Sequence, residues 1–212
     1  MKHTWQPLNQ IVHHQLLYSS FERNIGICKG KMGTVILFFR YAHHTDNRLY
    51  EDFAGELLDE ICQSITFDTA WGFGDGLIGI GWGIEYLVQQ KFIEGDTDEI
   101  LLDIDKRIME KDVQRIDDMS FHKGFEGLAF YVLARLLSPR EKGTPFDTAY
   151  LSDIEKKCID SLGFAGEGMR LLLDFMQGKN VHYPYSRVLD KIINEDNMEK
   201  EALSWSTGLK FL

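Results

Sequence analysis

Trp71-Gly72-Phe73-Gly74-Asp75-Gly76-Leu77-Ile78-Gly79-Ile80-Gly81 is the stretch that decides the fold. Gly76 and Gly79 form a Gly-x-x-Gly step at the head of an apolar run. The step recurs as Gly30-Lys31-Met32-Gly33, Gly124-Phe125-Glu126-Gly127 and Gly163-Phe164-Ala165-Gly166, at similar distances along the chain. Nineteen glycines in 212 residues would give about two such matches by chance, so four copies in step carry information that one would not. A fifth start, Gly208-Leu209, follows at about the same interval.

Each step opens a segment that is apolar nearly all round: 35–39, 80–88, 128–137 and 169–176. Val35, Phe38 and Phe39, or Leu128, Val132 and Leu136, recur at helical spacing inside these runs, which predicts helices buried on most sides. Between them lie one-sided patterns: Leu49, Phe53, Leu57, Leu58 and Ile61; Ile100, Leu101, Ile104 and Ile108; Tyr150, Ile154 and Cys158; Val188, Leu189 and Ile192. These predict amphipathic outer helices, with 8–17 as another on the strength of Ile11, Val12, Leu16 and Leu17. Turn formers at 45–47, 94–96 and 143–145 separate them. The chain therefore reads as all-α, residues 1–212 forming a single domain of about four helical hairpins with a Gly-x-x-Gly turn before each inner helix. Two glycines three apart share one face of a first turn, where lacking Cβ lets another backbone approach, and amides there are free to meet an anion or polar ligand.

Composition narrows the function. A net charge of -10 supplies no excess of cations for phosphates, which argues against nucleic acid and against an anionic membrane. The start, Met1-Lys2-His3-Thr4-Trp5-Gln6-Pro7, lacks the apolar core of a signal peptide, and no later run reads as a membrane span, so a cytoplasmic location is expected. Cys28, Cys62 and Cys158 are odd in number and widely spaced, and are read as reduced thiols. No Gly-x-Ser-x-Gly elbow, phosphate loop, His-Glu-x-x-His or dinucleotide fingerprint is present.

The order of Gly-x-x-Gly, inner helix and outer helix resembles the lanthionine synthetase C-like family, most closely at 71–81 and next at Ser120-Phe121-His122-Lys123-Gly124-Phe125-Glu126-Gly127-Leu128. The resemblance covers most of 25–212 and implies an α/α toroid, here a partial α/α barrel, since family members carry more inner helices than this chain completes. It also implies work on ribosomally made peptides, in which a zinc ion at the barrel mouth activates a cysteine thiol for addition to a dehydrated Ser or Thr. The family's ligands sit in Trp-Cys-Tyr-Gly and Cys-His-Gly motifs, and neither is in this chain. In the corresponding registers stand Cys28, Asp75 and His122, acceptable zinc donors, with Lys29 and Lys123 beside them.

The expected function is accordingly a lanthionine synthetase C-like protein without the usual zinc motifs, with no cofactor, binding a peptide or protein partner in peptide maturation. Asp75, His122, Lys123 and Lys29 at the mouth are its ligand-binding candidates, and a homodimer through the open toroid edge is the simplest cover for that edge. Two enzyme readings compete: a zinc-dependent thioether-forming cyclase on Cys28, Asp75 and His122, and a carbohydrate-active α/α barrel using Glu85, Glu126 or Glu167 as a carboxylate pair. The adjacent pairs His13-His14 and His43-His44 diverge on a helix and are read as structural or exposed.

Overall fold

The computed structural model describes residues 5–141, 143–196 and 203–212. Most of the opening stretch read for a signal peptide, residues 1–4 of 1–7, lies outside the described residues. Among the described residues every regular element is a helix: α1 (Trp5–Tyr18), α2 (Lys31–Thr45), α3 (Arg48–Ser64), α4 (Leu77–Gln89), α5 (Thr97–Ile100), α6 (Leu102–Met109), α7 (Phe125–Leu137), α8 (Thr148–Asp160), α9 (Glu167–Met176), α10 (Tyr185–Asp196) and α11 (Trp205–Leu209). Short 3-10 turns stand at Ser19–Phe21, Val113–Arg115 and Leu162–Phe164. None of these helices is long and apolar enough to cross a membrane.

Three of the four apolar runs become core helices, whereas the fourth, expected to be buried on most sides, forms α9, in which only Gly168, Met169, Leu172 and Leu173 are buried. Residues 31–39 of α2, 77–87 of α4 and 125–135 of α7 are buried without a break, as sequences apolar on every face require. The one-sided patterns become covering helices. Ala54, Leu57 and Ile61 of α3 are buried while Leu49 stays in water, and Tyr150, Ile154 and Cys158 of α8 form an inward stripe. The expected stripe 100–108 is broken into α5 and α6, with Leu101 buried between them and Ile100 exposed. Leu17 of α1 is exposed, although Ile11 and Val12 are buried.

The chain forms two compact units: unit 1, Met1–Thr69 with Ser186–Leu212, and unit 2, Ala70–Tyr185. In unit 1, α2 and α3 make a hairpin through Asp46, whose φ of 52° is the left-handed cap of α2, and Asn47, whose side chain caps α3 by accepting from the Leu49 amide at 3.1 Å. The short α11 lies against α1 and α2, filling the space that Gly33 leaves open to the Trp205 ring.

In unit 2, α4 packs on α7 and α7 on α9. Gly81 of α4 faces the Tyr131 ring, and Gly168 of α9 faces Phe130, so small residues let large ones of α7 sit close. α4, α7 and α9 begin at one end of the unit. The loop ahead of α4 bonds to the loop ahead of α7, Gly74 N donating to His122 O at 2.9 Å, and Glu126 in the first turn of α7 accepts from the first turn of α9. Between these helices the chain returns through α5 and α6, which contact α4, and through α8, which contacts α9.

Candidate functional site

The glycine steps have a common geometry. In the first three repeats the leading glycine, Gly30, Gly76 or Gly124, is the N-cap of an inner helix in extended conformation. A Cβ there would overlap the carbonyl oxygen six residues upstream, Asn24, Ala70 or Asp118 respectively. That same carbonyl accepts from the first helical amide: Lys31 N to Asn24 O, Leu77 N to Ala70 O and Phe125 N to Asp118 O, each 2.8 Å. Met32 N and Ile78 N are likewise taken, by Gly26 O at 3.2 Å and Trp71 O at 3.3 Å. The second glycines Gly33 and Gly127 clear the carbonyls of Ile27 and Phe121. The steps therefore admit a backbone loop folded over the helix start, and the leading amides, expected to be open to a ligand, are occupied by the chain itself.

The fourth repeat departs from the expected register. Gly166, not Gly163, caps α9, while Gly163 sits in the 3-10 turn with open space where its Cβ would be. The amides of Gly168 and Met169 are satisfied by the Glu126 carboxylate at 2.8 and 3.2 Å, a negative group on a helix N-terminus. Glu126 and Glu167 are thus at different helical positions, and Glu126 is engaged as a cap. Its charge, after burial itself, helps push the Cys158 thiol up to about 12.

Unit 2 brings together part of the expected mouth. Asp75 is exposed on the loop before α4, and His122 and Lys123 stand on the loop before α7. Gly72 and Gly74 let the two loops touch: a Cβ on Gly74 would lie 3.1 Å from His122 Nδ1, and one on Gly72 would lie 2.8 Å from His122 O. The His122 ring leans on Phe121 with centroids 5.3 Å apart, and Lys111 lies over the nearby Trp71 ring at 4.7 Å.

Unit 1 holds the other candidates, Cys28 and Lys29, on the wall of a cavity of about 280 Å³. The cavity is bounded by the end of α1, the 3-10 turn after it, the loop leading to Gly30, and the start of α11. Two of the residues that line it each have one buried polar atom without a hydrogen-bond partner among the described residues, Ser19 Oγ and His14 Nδ1. Ser19 is 4% exposed. The rest of the polar wall is already joined: Thr34 Oγ1 donates to Gln15 Oε1 at 3.0 Å, Gln15 Nε2 to Leu203 O at 2.8 Å, and Trp205 Nε1 to Cys28 O at 2.9 Å. His13 is exposed, and His14 is half-buried with its ring centroid 4.6 Å from that of Tyr18, as the structural-or-exposed reading has them.

A second polar assembly, inside unit 2, was only partly visible in the sequence. Glu85, weighed as a catalytic acid, is fully buried and paired with Arg135 at 3.1 Å. All five guanidinium N–H groups of Arg135 are used: Nε to Asp105 (3.1 Å), Nη1 to Glu85 (3.1 Å) and Thr97 (2.9 Å), Nη2 to Asp98 (2.8 Å) and Asp105 (2.9 Å). Tyr131 donates a further bond to Asp105 at 2.5 Å. Burial raises the Asp105 carboxyl above the usual aspartate range against the opposing pull of Arg135. The signal for this assembly was one arginine and one glutamate inside otherwise apolar runs.

These carboxylates are committed to Arg135 and to α9, so no free acid pair of the glycosidase kind is made by Glu85 and Glu126. Among the described residues no three His, Cys, Asp or Glu side chains stand where they could share a metal ion. Cys28 belongs to unit 1, and Asp75 and His122 to unit 2. No protein-family model, curated protein or solved structure matches the chain.

Proposed function

We propose that this chain is a binding protein for a peptide or peptide-bearing partner, built on a partial α/α toroid similar to the lanthionine synthetase C-like family and acting in peptide maturation by holding its substrate. The observation that carries the reading is the unit 1 cavity of about 280 Å³ at the first Gly-x-x-Gly loop, lined by polar residues of α1, that loop and α11. A concave space walled by polar groups on several segments is suited to holding a short stretch of chain by a few directed hydrogen bonds. The engagement of Glu85 and Glu126 in structure supports binding over hydrolysis.

The test is selection from a randomised hexapeptide library on the immobilised full chain, against Ser19→Phe, which fills the cavity. Far-UV circular dichroism and melting establish that the variant folds. Sequences enriched on the native chain and lost on the variant are expected. Enrichment no greater than on an unrelated helical protein, or equal on both chains, would refute the reading.

A further inference from the structure

We infer that α11 is an autoinhibitory latch: Trp205 fills in cis a seat beside the unit 1 cavity, and a tryptophan-bearing peptide takes that seat when the latch is displaced; this rests on the binding function proposed above. The seat is a contact of the repeat-to-repeat kind. Trp205 stands three positions before Gly208, as Phe73 stands three before Gly76. In unit 2 the second glycine of a step, Gly127, makes room for Phe73, since a Cβ on it would lie 2.7 Å from Phe73 Cβ. The carbonyl two positions before that step's leading glycine, His122 O, accepts from Gly74 N at 2.9 Å. In unit 1 the second glycine, Gly33, makes room for the Trp205 ring, and the carbonyl two positions before Gly30, Cys28 O, accepts from Trp205 Nε1 at 2.9 Å. Glycine, aromatic ring and accepting carbonyl hold the same places in both contacts, so the first step receives the start of another repeat.

The latch is made to come away. α11 spans five residues, too few to stay helical off its seat. Its fastenings include the burial of Trp205 and Leu209, each 4% exposed, the bond to Cys28 O, and Gln15 Nε2 donating to Leu203 O at 2.8 Å. Against these stands the ordering of the backbone and side chains from Ser204 onward, an opposing contribution of similar size, which is the balance of a segment that opens apart from its unit. Ser204 and Trp205 line the cavity, so undocking removes part of its wall. It also bares an acceptor, Cys28 O, next to a ring-sized space over Gly33, and tryptophan is the side chain that offers both a flat ring and an N–H donor.

The probe is a labelled synthetic peptide with the sequence of Leu203–Leu212, beside a copy carrying phenylalanine in place of its tryptophan. Both are titrated into the native full chain and into Trp205→Ala, whose fold is checked by far-UV circular dichroism and melting. The tryptophan peptide is expected to bind Trp205→Ala at least about tenfold more tightly than the native chain, and the phenylalanine copy to bind about three- to tenfold more weakly, the worth of one hydrogen bond. In the hexapeptide library, tryptophan enriched at one position, more strongly on Trp205→Ala than on the native chain, and displaced by the Leu203–Leu212 peptide, is expected.

Library peptides held equally by both chains and indifferent to the Leu203–Leu212 peptide overturn the latch and leave the binding function standing. A Leu203–Leu212 peptide that binds Trp205→Ala while the library enriches nothing supports the latch and overturns the function it rests on. Equal binding of that peptide to both chains, or binding to neither, overturns the inference outright. Where Trp205→Ala does not fold, hydrogen exchange in the native chain decides: a Trp205 indole N–H that exchanges at least about tenfold faster than the amides of α2 supports release, and exchange in step with them overturns it.

Discussion

Replacing Arg135 with methionine would leave Glu85 and Asp105, 0% and 2% exposed, as buried carboxylates with no cation. Methionine nearly fills the volume, so the loss is chiefly electrostatic. Breaking a buried pair from one side costs about 3–5 kcal/mol, and two carboxylates are stranded here, so about 4 kcal/mol is a conservative figure. At about 2–4 °C per kcal/mol for a chain of this length, the melting temperature falls by about 8–16 °C near neutral pH.

The pH dependence provides a sharper check. Asp105 titrates above the ordinary aspartate value of 3.8 in the folded protein because of burial. A carboxyl raised in this way favours the folded state fully below its unfolded value, and that contribution is lost as pH rises through the folded one. Removing Arg135 takes away the cation that opposes burial at Asp105 and raises its carboxyl further, so the deficit of the variant shrinks as the pH falls from about 7 to about 5. Calorimetry at several pH values measures it, and Glu85→Gln and Asp105→Asn added to Arg135→Met recover part of the loss. A variant within about 1 kcal/mol of the native chain, or a deficit that grows with acidity, would refute the reasoning.

Gly76→Ala and Gly124→Ala place a Cβ against a backbone carbonyl and are expected to cost about 2 kcal/mol or more in denaturant titrations, whereas Gly163→Ala, in open space, is neutral within about 0.5 kcal/mol. Glu126→Gln weakens the cap of α9 by about 1–2 kcal/mol, read as faster hydrogen exchange at the Gly168 and Met169 amides with little change at those of α4. A thiol reagent in the folded state labels exposed Cys62 first and leaves Cys158, buried and with its thiol pushed up to about 12, unmodified until unfolding; equal labelling rates would refute this.

Helix periodicity was the legible part of the fold. Runs such as 35–39 and 128–137 had no polar face, so burial was the only state open to them, and Tyr150, Ile154 and Cys158 declared their stripe by spacing. Register at the fourth glycine step was not legible, because what decides it is the Glu126 carboxylate arriving from α7, a contact 42 residues away in sequence. The cavity was half visible. Cys28 and Lys29 were placed by the repeat, but Ser19 and His14 enter from α1 and the turn after it, a segment that carries no motif. The Arg135 assembly was hidden for a related reason: Glu85 alone in an apolar helix reads equally as an acid or as half of an ion pair, and its partner lies 50 positions on.

The bond from Trp205 to Cys28 closes 177 positions of chain, and that from Gln15 to Leu203 closes 188, whereas unit 2 is one continuous stretch. On the ribosome the order of emergence then matters. Everything needed for unit 2 is outside while the face of α2 that α11 will cover, Leu37 with Gly33, is still bare. The nascent protein thus carries a finished C-proximal half and an unsealed N-terminal one, and its exposure to chaperones and proteases lasts until the segment beginning at Ser204 arrives.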